Sequence, residues 1–428
     1  MKKYYIIIFA TLLLTSCSQS KNEVRKEGIY NGVFTHGNFT DTISFEIKKD
    51  STDFAVFFTS LEQNAFQIPV RDIIIKEDSI NFKLQSDKYT YDFSNSWKDG
   101  KTELSGVLKV DTVLVPYTLK KQNSARADGI EPKEVNFQSN GLQLSGTIRY
   151  PKKANKKALV FITSSGGSDR SGSRAEAIYF ANKGFTTFHY DKRGTGISQG
   201  DWQLANMEEL CSDDMNAINF FSNQTGIPLS KIGIKGSSQG GAKIPYILNE
   251  LKDLNLGIAV SCPGGTLMES DLNYWKNRNR ESLGNNLENA AQLQKMVFEH
   301  IAGKLSRTEL EKAVAATKSK PWFSSIWVPN LDEVKIDEKL LYNPVPYFET
   351  TNQSILLIQG TKDEIIPVDS HTTILQALEK AGNQKHKIVL LEDANHSMYY
   401  VGESDFPYWA KLHHDYLKTV EGWVNTQF

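Results

Sequence analysis

A serine set among glycines, Ser238 between Gly236 and Gly240, is the part of this sequence best suited to chemistry. An apolar run, Lys231 to Lys235, precedes it and a helix-like run, Ala242 to Leu251, follows, so the serine falls at a turn from strand into helix. Glycines allow a bend sharp enough to expose the hydroxyl and let the next elements come close. A serine hydroxyl is a weak nucleophile until a base takes its proton, and the base needs an acid to orient it. His396, just past the apolar run Ile388 to Leu391, can be that base, and Asp363, just past Leu357 to Gly360, can be the acid. Glu364 and Asp393 compete for the acid's role. Ser, Asp and His in this order, each at the end of an apolar run, point to nucleophilic catalysis by a triad.

The negative charge that develops in such a reaction needs donors placed beforehand. One is the backbone N–H of Gln239, directly after the serine and at the start of a helix. The second is expected from the loop Ser164 to Arg170, from Ser165 or its neighbour Gly166. Asp169 and Arg170 read as a local ion pair steadying that loop. Tyr190 to Ser198 has the look of a phosphate loop but lacks GxGxxG and a Walker lysine, so Asp191 and Arg193 are assigned to structure. No clustered Cys/His pattern argues for a metal, and no cofactor is called for.

These residues must be carried by alternating strands and helices. Val135 to Ser139 and Leu142 to Tyr150 predict a hairpin around Asn140-Gly141. Strands are expected at 159–163, 185–190, 232–234, 256–260, 355–358 and 388–391, with helices at 174–182 and 207–221, the grammar of a mostly parallel sheet covered on both faces. An insertion at about 265–344 breaks the rhythm, with Leu293, Val297 and Ile301 at helical spacing and a capping box from Ser306 to Glu309, and reads as a helical lid. Its aromatics, Trp322, Phe323 and Trp327, read as lid core before pocket lining.

Residues 28–121 look different, with short alternating runs at 43–47, 54–58, 73–75, 80–84, 89–93, 104–108 and 113–117 and no helices between them. They predict an antiparallel sandwich or barrel-like meander, an accessory all-β domain. A linker is expected at 122–133, and the second domain covers 134–428.

The first residues read as a processing signal. Lys2 and Lys3 precede Tyr4 to Leu14, apolar but too short to span a bilayer, and then Leu14-Thr-Ser-Cys17. This resembles a bacterial lipobox, which implies removal of residues 1–17 up to a lipidated Cys17, a tether at 18–27, and attachment of an exported protein to a membrane, the outer one given Ser18. Cys211 and Cys262 are expected as buried free thiols. In 428 residues with a formal net charge of −1 there is no basic excess to recruit nucleic acid.

Together, Ser164 to Arg170, Tyr190 to Ser198, Gly236 to Gly241, Gly360 to Pro367 and Asn395-His396 resemble the ordered motifs of the α/β-hydrolase superfamily, more narrowly its bacterial esterase and acyl-hydrolase branch. Relatives commonly have Gly where this chain has Ser164. The resemblance covers 134–428. It implies an α/β-hydrolase fold behind a small all-β domain, and hydrolysis of a small carboxylic ester through an acyl-serine. Peptidases and thioesterases share the scaffold, as does the alternative of a non-catalytic binding protein.

Overall fold

The computed structural model describes residues 26–428 apart from positions 38, 51, 52, 61, 64, 87, 88, 123–129, 131, 405 and 409. The signal, Cys17 and most of the tether and linker expected from the sequence therefore lie outside the described residues.

The first domain is a single 9-stranded sheet of β1 (Gly28–His36), β2 (Phe39–Asp50), β3 (Asp53–Ser60), β4 (Ala65–Pro69), β5 (Arg71–Ile75), β6 (Ser79–Gln85), β7 (Thr90–Lys98), β8 (Glu103–Val110) and β9 (Val113–Lys121). Its order, β4-β3-β2-β1-β9-β8-β7-β6-β5, puts at opposite edges two strands that only Val70 separates in sequence. The sheet must curl to bring those edges together. Register shifts in the β3–β4 and β5–β6 pairs supply local bends, as bulges do. Alternate residues point inward, and Phe45, Phe82 and Phe93 meet at ring separations of 4.8 to 5.4 Å. The runs at 28–36 and 65–69 were not read as strands from the sequence. The first carries Gly28 and Gly32, and the second is only five residues long and ends in proline.

The second domain is an 8-stranded sheet of β10 (Pro132–Ser139), β11 (Leu142–Arg149), β12 (Ala158–Phe161), β13 (Thr186–Tyr190), β14 (Ile232–Ser237), β15 (Leu256–Val260), β16 (Ser354–Gly360) and β17 (His386–Leu391). The order is β10-β11-β13-β12-β14-β15-β16-β17. β10 and β11 form the expected hairpin, β11 runs antiparallel to β13, and every other pair is parallel. The helices are α1 (Arg174–Asn182), α2 (Met207–Thr225), α3 (Gln239–Glu250), α4 (Leu267–Leu283), α5 (Leu287–Ile301), α6 (Arg307–Thr317), α7 (Val345–Phe348), α8 (Ser370–Lys380) and α9 (Tyr416–Gln427).

Strand residues alternate between two cores. Ala158 and Val160 pack with α2, α3 and α8, while Leu159 and Phe161 pack with α1 and α9. Both faces are thus covered, which is why these strands are buried along their whole length. From β12 the chain moves to one side, to β13, and then crosses back to β14 on the other. Such a reversal opens a crevice at the carboxyl ends of the strands. Between β15 and β16, α4 to α6 form the insertion, whose core holds Leu287, Leu293 and Trp322. Trp322, Phe323 and Ile326 pack there, and Trp327 is exposed.

The two domains interlock. Phe406, from the segment after β17, enters the first domain's core and stacks on Phe39 at 4.5 Å, and the Tyr91 hydroxyl donates to the Pro407 carbonyl at 2.9 Å. In return Phe66 of β4 lies under the guanidinium groups of Arg149 and Arg174. Among the described residues no helix is long and apolar enough to cross a membrane.

Candidate active site

Ser238 sits where β14 turns into α3, with φ 54° and ψ −125°, a conformation that costs energy for a residue with a side chain. The turn closes only because its neighbours lack side chains. A Cβ on Gly236 would come within 2.3 Å of the Gly240 carbonyl carbon, and one on Gly240 within 2.9 Å of the Thr163 carbonyl oxygen. The Ser238 N–H donates to Val260 O at 2.9 Å, which ties the turn to β15. The helix begins at Gln239, earlier than Ala242, because the first turn can use Gly240 and Gly241 once packing holds them. As the first residue of α3, Gln239 carries one of the helix's backbone N–H groups with no partner inside the helix.

His396 and Asp363 come together from separate loops. His396 Nδ1 lies 3.0 and 3.1 Å from the two carboxylate oxygens of Asp363, whose side chain is 1% exposed. The carboxylate is itself held, since Oδ1 accepts the N–H groups of Ile365 and Ile366, each at 2.9 Å. The histidine loop closes tightly on the end of β16. A Cβ on Gly360 would lie 2.1 Å from Ala394 O, and Ser261 Oγ donates to His396 O at 2.8 Å. Of the competing acids, Glu364 accepts the His396 backbone N–H at 3.2 Å, and Asp393 lies 3.8 Å from Lys362. Neither carboxylate takes the Asp363 place at the ring.

Ser238 and His396 line one cavity of about 610 Å³, together with Ser165, Arg170, Glu176, Lys235, Asp271 and Tyr416 among others. Its wall mixes charged and apolar groups. Gln239 is buried behind the turn, and Trp322, Phe323 and Trp327 do not line this cavity. The sheet reversal, the strained serine at the end of β14, and the acid and histidine after β16 and β17 compose one known architecture. The chain has the α/β-hydrolase fold.

A family model and several solved structures resemble parts of the chain. Residues 281–422 match the model of the prolyl oligopeptidase family, a stretch that holds Asp363 and His396 and begins after Ser238. No curated protein matches the chain. Similar solved structures include an esterase of Pyrococcus furiosus (16% identity, TM-score 0.46, covering 72% of this chain and 94% of that one) and an α/β-hydrolase from a Penicillium species (17%, 0.44, 69% and 99%). An acylaminoacyl peptidase of Pyrococcus horikoshii is similar at 16% identity and TM-score 0.41, covering 83% of this chain and 57% of that one.

The loops of this hydrolase fold are braced by charges that the sequence reading passed over. Arg170 pairs with Asp191 at 3.4 Å and Glu134 at 2.8 Å, not with Asp169, because Asp169 instead caps the following turn by accepting the Ser171 N–H. Arg193 is locked to Asp213 at 2.6 Å, the structural part expected of it. Beneath the serine turn, Lys243 and Asp214, both fully buried, pair at 2.5 Å, with Thr163 Oγ1 accepting from Lys243 at 2.9 Å and donating to Asp214 at 3.1 Å. Tyr190 also donates to Asp214. Burial pushes the Asp214 carboxyl upward, and the Lys243 ammonium opposes that shift. One signal was present: Asp213 and Asp214 fall on the same face of α2 as Leu210, Ala217 and Phe221, where a carboxylate needs a partner.

Cys211 and Cys262 are buried and unpaired with each other, and burial pushes both thiols well up, which keeps them unreactive. Among the described residues one group, His413, His414 and Asp415, brings metal-ligand atoms together. His413 Nδ1 there already accepts the Asp415 N–H at 3.2 Å.

Proposed function

We propose that this protein is a serine hydrolase that cleaves a small carboxylic ester through an acyl-serine intermediate. The observation that carries the reading is a strained, cavity-facing Ser238 sharing that cavity with a His396 whose ring is held by Asp363. In this reading His396 takes the serine proton as Oγ attacks the ester carbonyl, and Asp363 stabilises the imidazolium. The N–H groups of Gln239 and Ser165 receive the oxyanion. The imidazolium then protonates the leaving alcohol, and water, activated by the same histidine, releases the acid.

Cleavage of a peptide bond is the second reading, favoured by the match of 281–422 to the prolyl oligopeptidase family. A matched series of esters and amides with the same acyl group separates the two. Ser238 should react covalently with a fluorophosphonate probe, and Ser238→Ala should abolish both labelling and turnover. Labelling of folded protein at another residue, or turnover kept in Ser238→Ala, refutes the assignment. The proposal includes export and attachment to a membrane, the outer one, through lipid on Cys17, supported by Lys2-Lys3, the apolar run to Leu14 and the cysteine that follows.

A further inference from the structure

Lys192 follows β13 and is 2% exposed, an uncommon place for an ammonium group. Its Nζ donates to Ser164 O at 2.8 Å and to Gly166 O, and it lies 4.6 Å from the centre of the Trp202 ring. Both carbonyls belong to the loop that carries Ser165. A trans peptide is planar, so the Ser164 C=O and the Ser165 N–H point in opposite directions. Ser164 and Ser165 line the cavity and Lys192 does not. With the Ser164 carbonyl turned to the ammonium, the Ser165 N–H points away from Lys192, and Ser165 shares its cavity with Ser238. The same loop is strapped to the serine turn by Ser164 Oγ, which donates to Ser237 O at 2.8 Å.

We propose that Lys192 is a positioning residue that aims the Ser165 N–H at the oxyanion by holding the Ser164 and Gly166 carbonyls on the far side of the loop. This rests on the serine hydrolase reading and deepens it. The clamp depends on charge, since hydrogen bonds from an ammonium are roughly twice as strong as neutral ones, and the attraction to the Trp202 face needs a cation. The charged groups that act on Lys192 come from three places. Lys243 on α3 and Lys339 near the end of the insertion repel it, and Asp214 on α2 favours it. Its chain neighbours Asp191 and Arg193 are engaged with Arg170 and Asp213. Burial first and Lys243 second hold the ammonium down to about 8. The charged form is therefore present below that pH and lost above it, and turnover should fall as the pH rises through about 8.

The test is steady-state kinetics of the full chain on an activated ester, with a fluorophosphonate to establish Ser238 and a trifluoromethyl ketone as tetrahedral mimic. Lys192→Met should lower kcat about 10- to 100-fold, part of what losing an oxyanion donor costs, with KM nearly unchanged. The mimic's inhibition constant should rise by the same factor, and the alkaline fall in kcat should disappear. Wild-type kcat, KM and pH profile in a folded Lys192→Met that still labels at Ser238 would overturn the role of Lys192 alone. Failure of Ser238 to label would remove the hydrolase reading and this inference with it. If Lys192→Met does not fold, Lys192→Gln, which can still donate to a carbonyl but carries no charge, decides: a lower kcat with KM nearly unchanged supports the clamp, and wild-type kinetics overturn it.

Discussion

Replacing Asp363 by Asn changes one atom of the proposed site, and the structure says which way the new amide must face. Asp363 Oδ1 accepts two backbone N–H groups at 2.9 Å, so the asparagine carbonyl has to remain there. Turning it away would leave buried donors facing an NH₂, at about 1–3 kcal/mol for each lost partner. The NH₂ then takes the Oδ2 position, 3.1 Å from His396 Nδ1. An NH₂ only donates and favours the tautomer with a bare Nδ1 and a proton on Nε2, the nitrogen that should accept from Ser238, while the retained carbonyl, 3.0 Å from Nδ1, favours the other, so the productive tautomer is diluted. The imidazolium also loses its carboxylate. The same change in a serine triad costs about 10⁴ in kcat, which is about 5 kcal/mol of barrier at 1.36 kcal/mol per decade. Stability should barely move, because shape and backbone contacts are kept. We therefore expect kcat/KM on an activated ester to fall about 10⁴-fold with an unchanged denaturation midpoint. Activity within tenfold of wild type, or an equal loss on Glu364→Gln instead, would refute the assignment of the acid.

The remaining predictions concern what holds the site and where the protein resides. Asp214→Asn leaves Lys243 buried without its counter-charge and should destabilise the fold by about 3–5 kcal/mol in denaturant titration, with Asp214→Leu/Lys243→Met recovering most of it; an unchanged midpoint for the single variant would refute the pair's role. Phe406→Ala removes the ring stacked on Phe39 and should cost about 3–5 kcal/mol, read as earlier thermal unfolding of the first domain. Unaltered melting would mean that the ring is not part of that core. Cys17→Ser should abolish labelling by a fatty-acid probe and release the protein from the membrane with ester turnover intact. An unlabelled wild-type chain found wholly soluble would refute the anchor.

The candidate site was legible because its chemistry is local in sequence. Glycine spacing around Ser238 dictates a tight turn wherever strand passes into helix, and apolar runs ending just before Asp363 and His396 place both on loops at strand ends. The braces were less legible, since a buried lysine and an exposed one look alike in a sequence. Lys192 was passed over between Asp191 and Arg193, and Arg170 was assigned its chain neighbour when its carboxylate partners are Asp191 and Glu134.

Fold class and the order of motifs are sequence properties, because hydrophobic period and turn chemistry act over a few residues. Closure of the first domain is a tertiary decision: nothing local to Val70 says that β4 and β5 are opposite edges of one curled sheet. The same is true of Phe406, whose burial depends on a partner domain hundreds of positions earlier in the chain. The buried charges belong with these. Whether the Lys192 and Lys243 side chains are braces or defects depends on which carboxylates and carbonyls the packed sheet brings within about 3 Å of them, because at low dielectric an ammonium without such partners is costly.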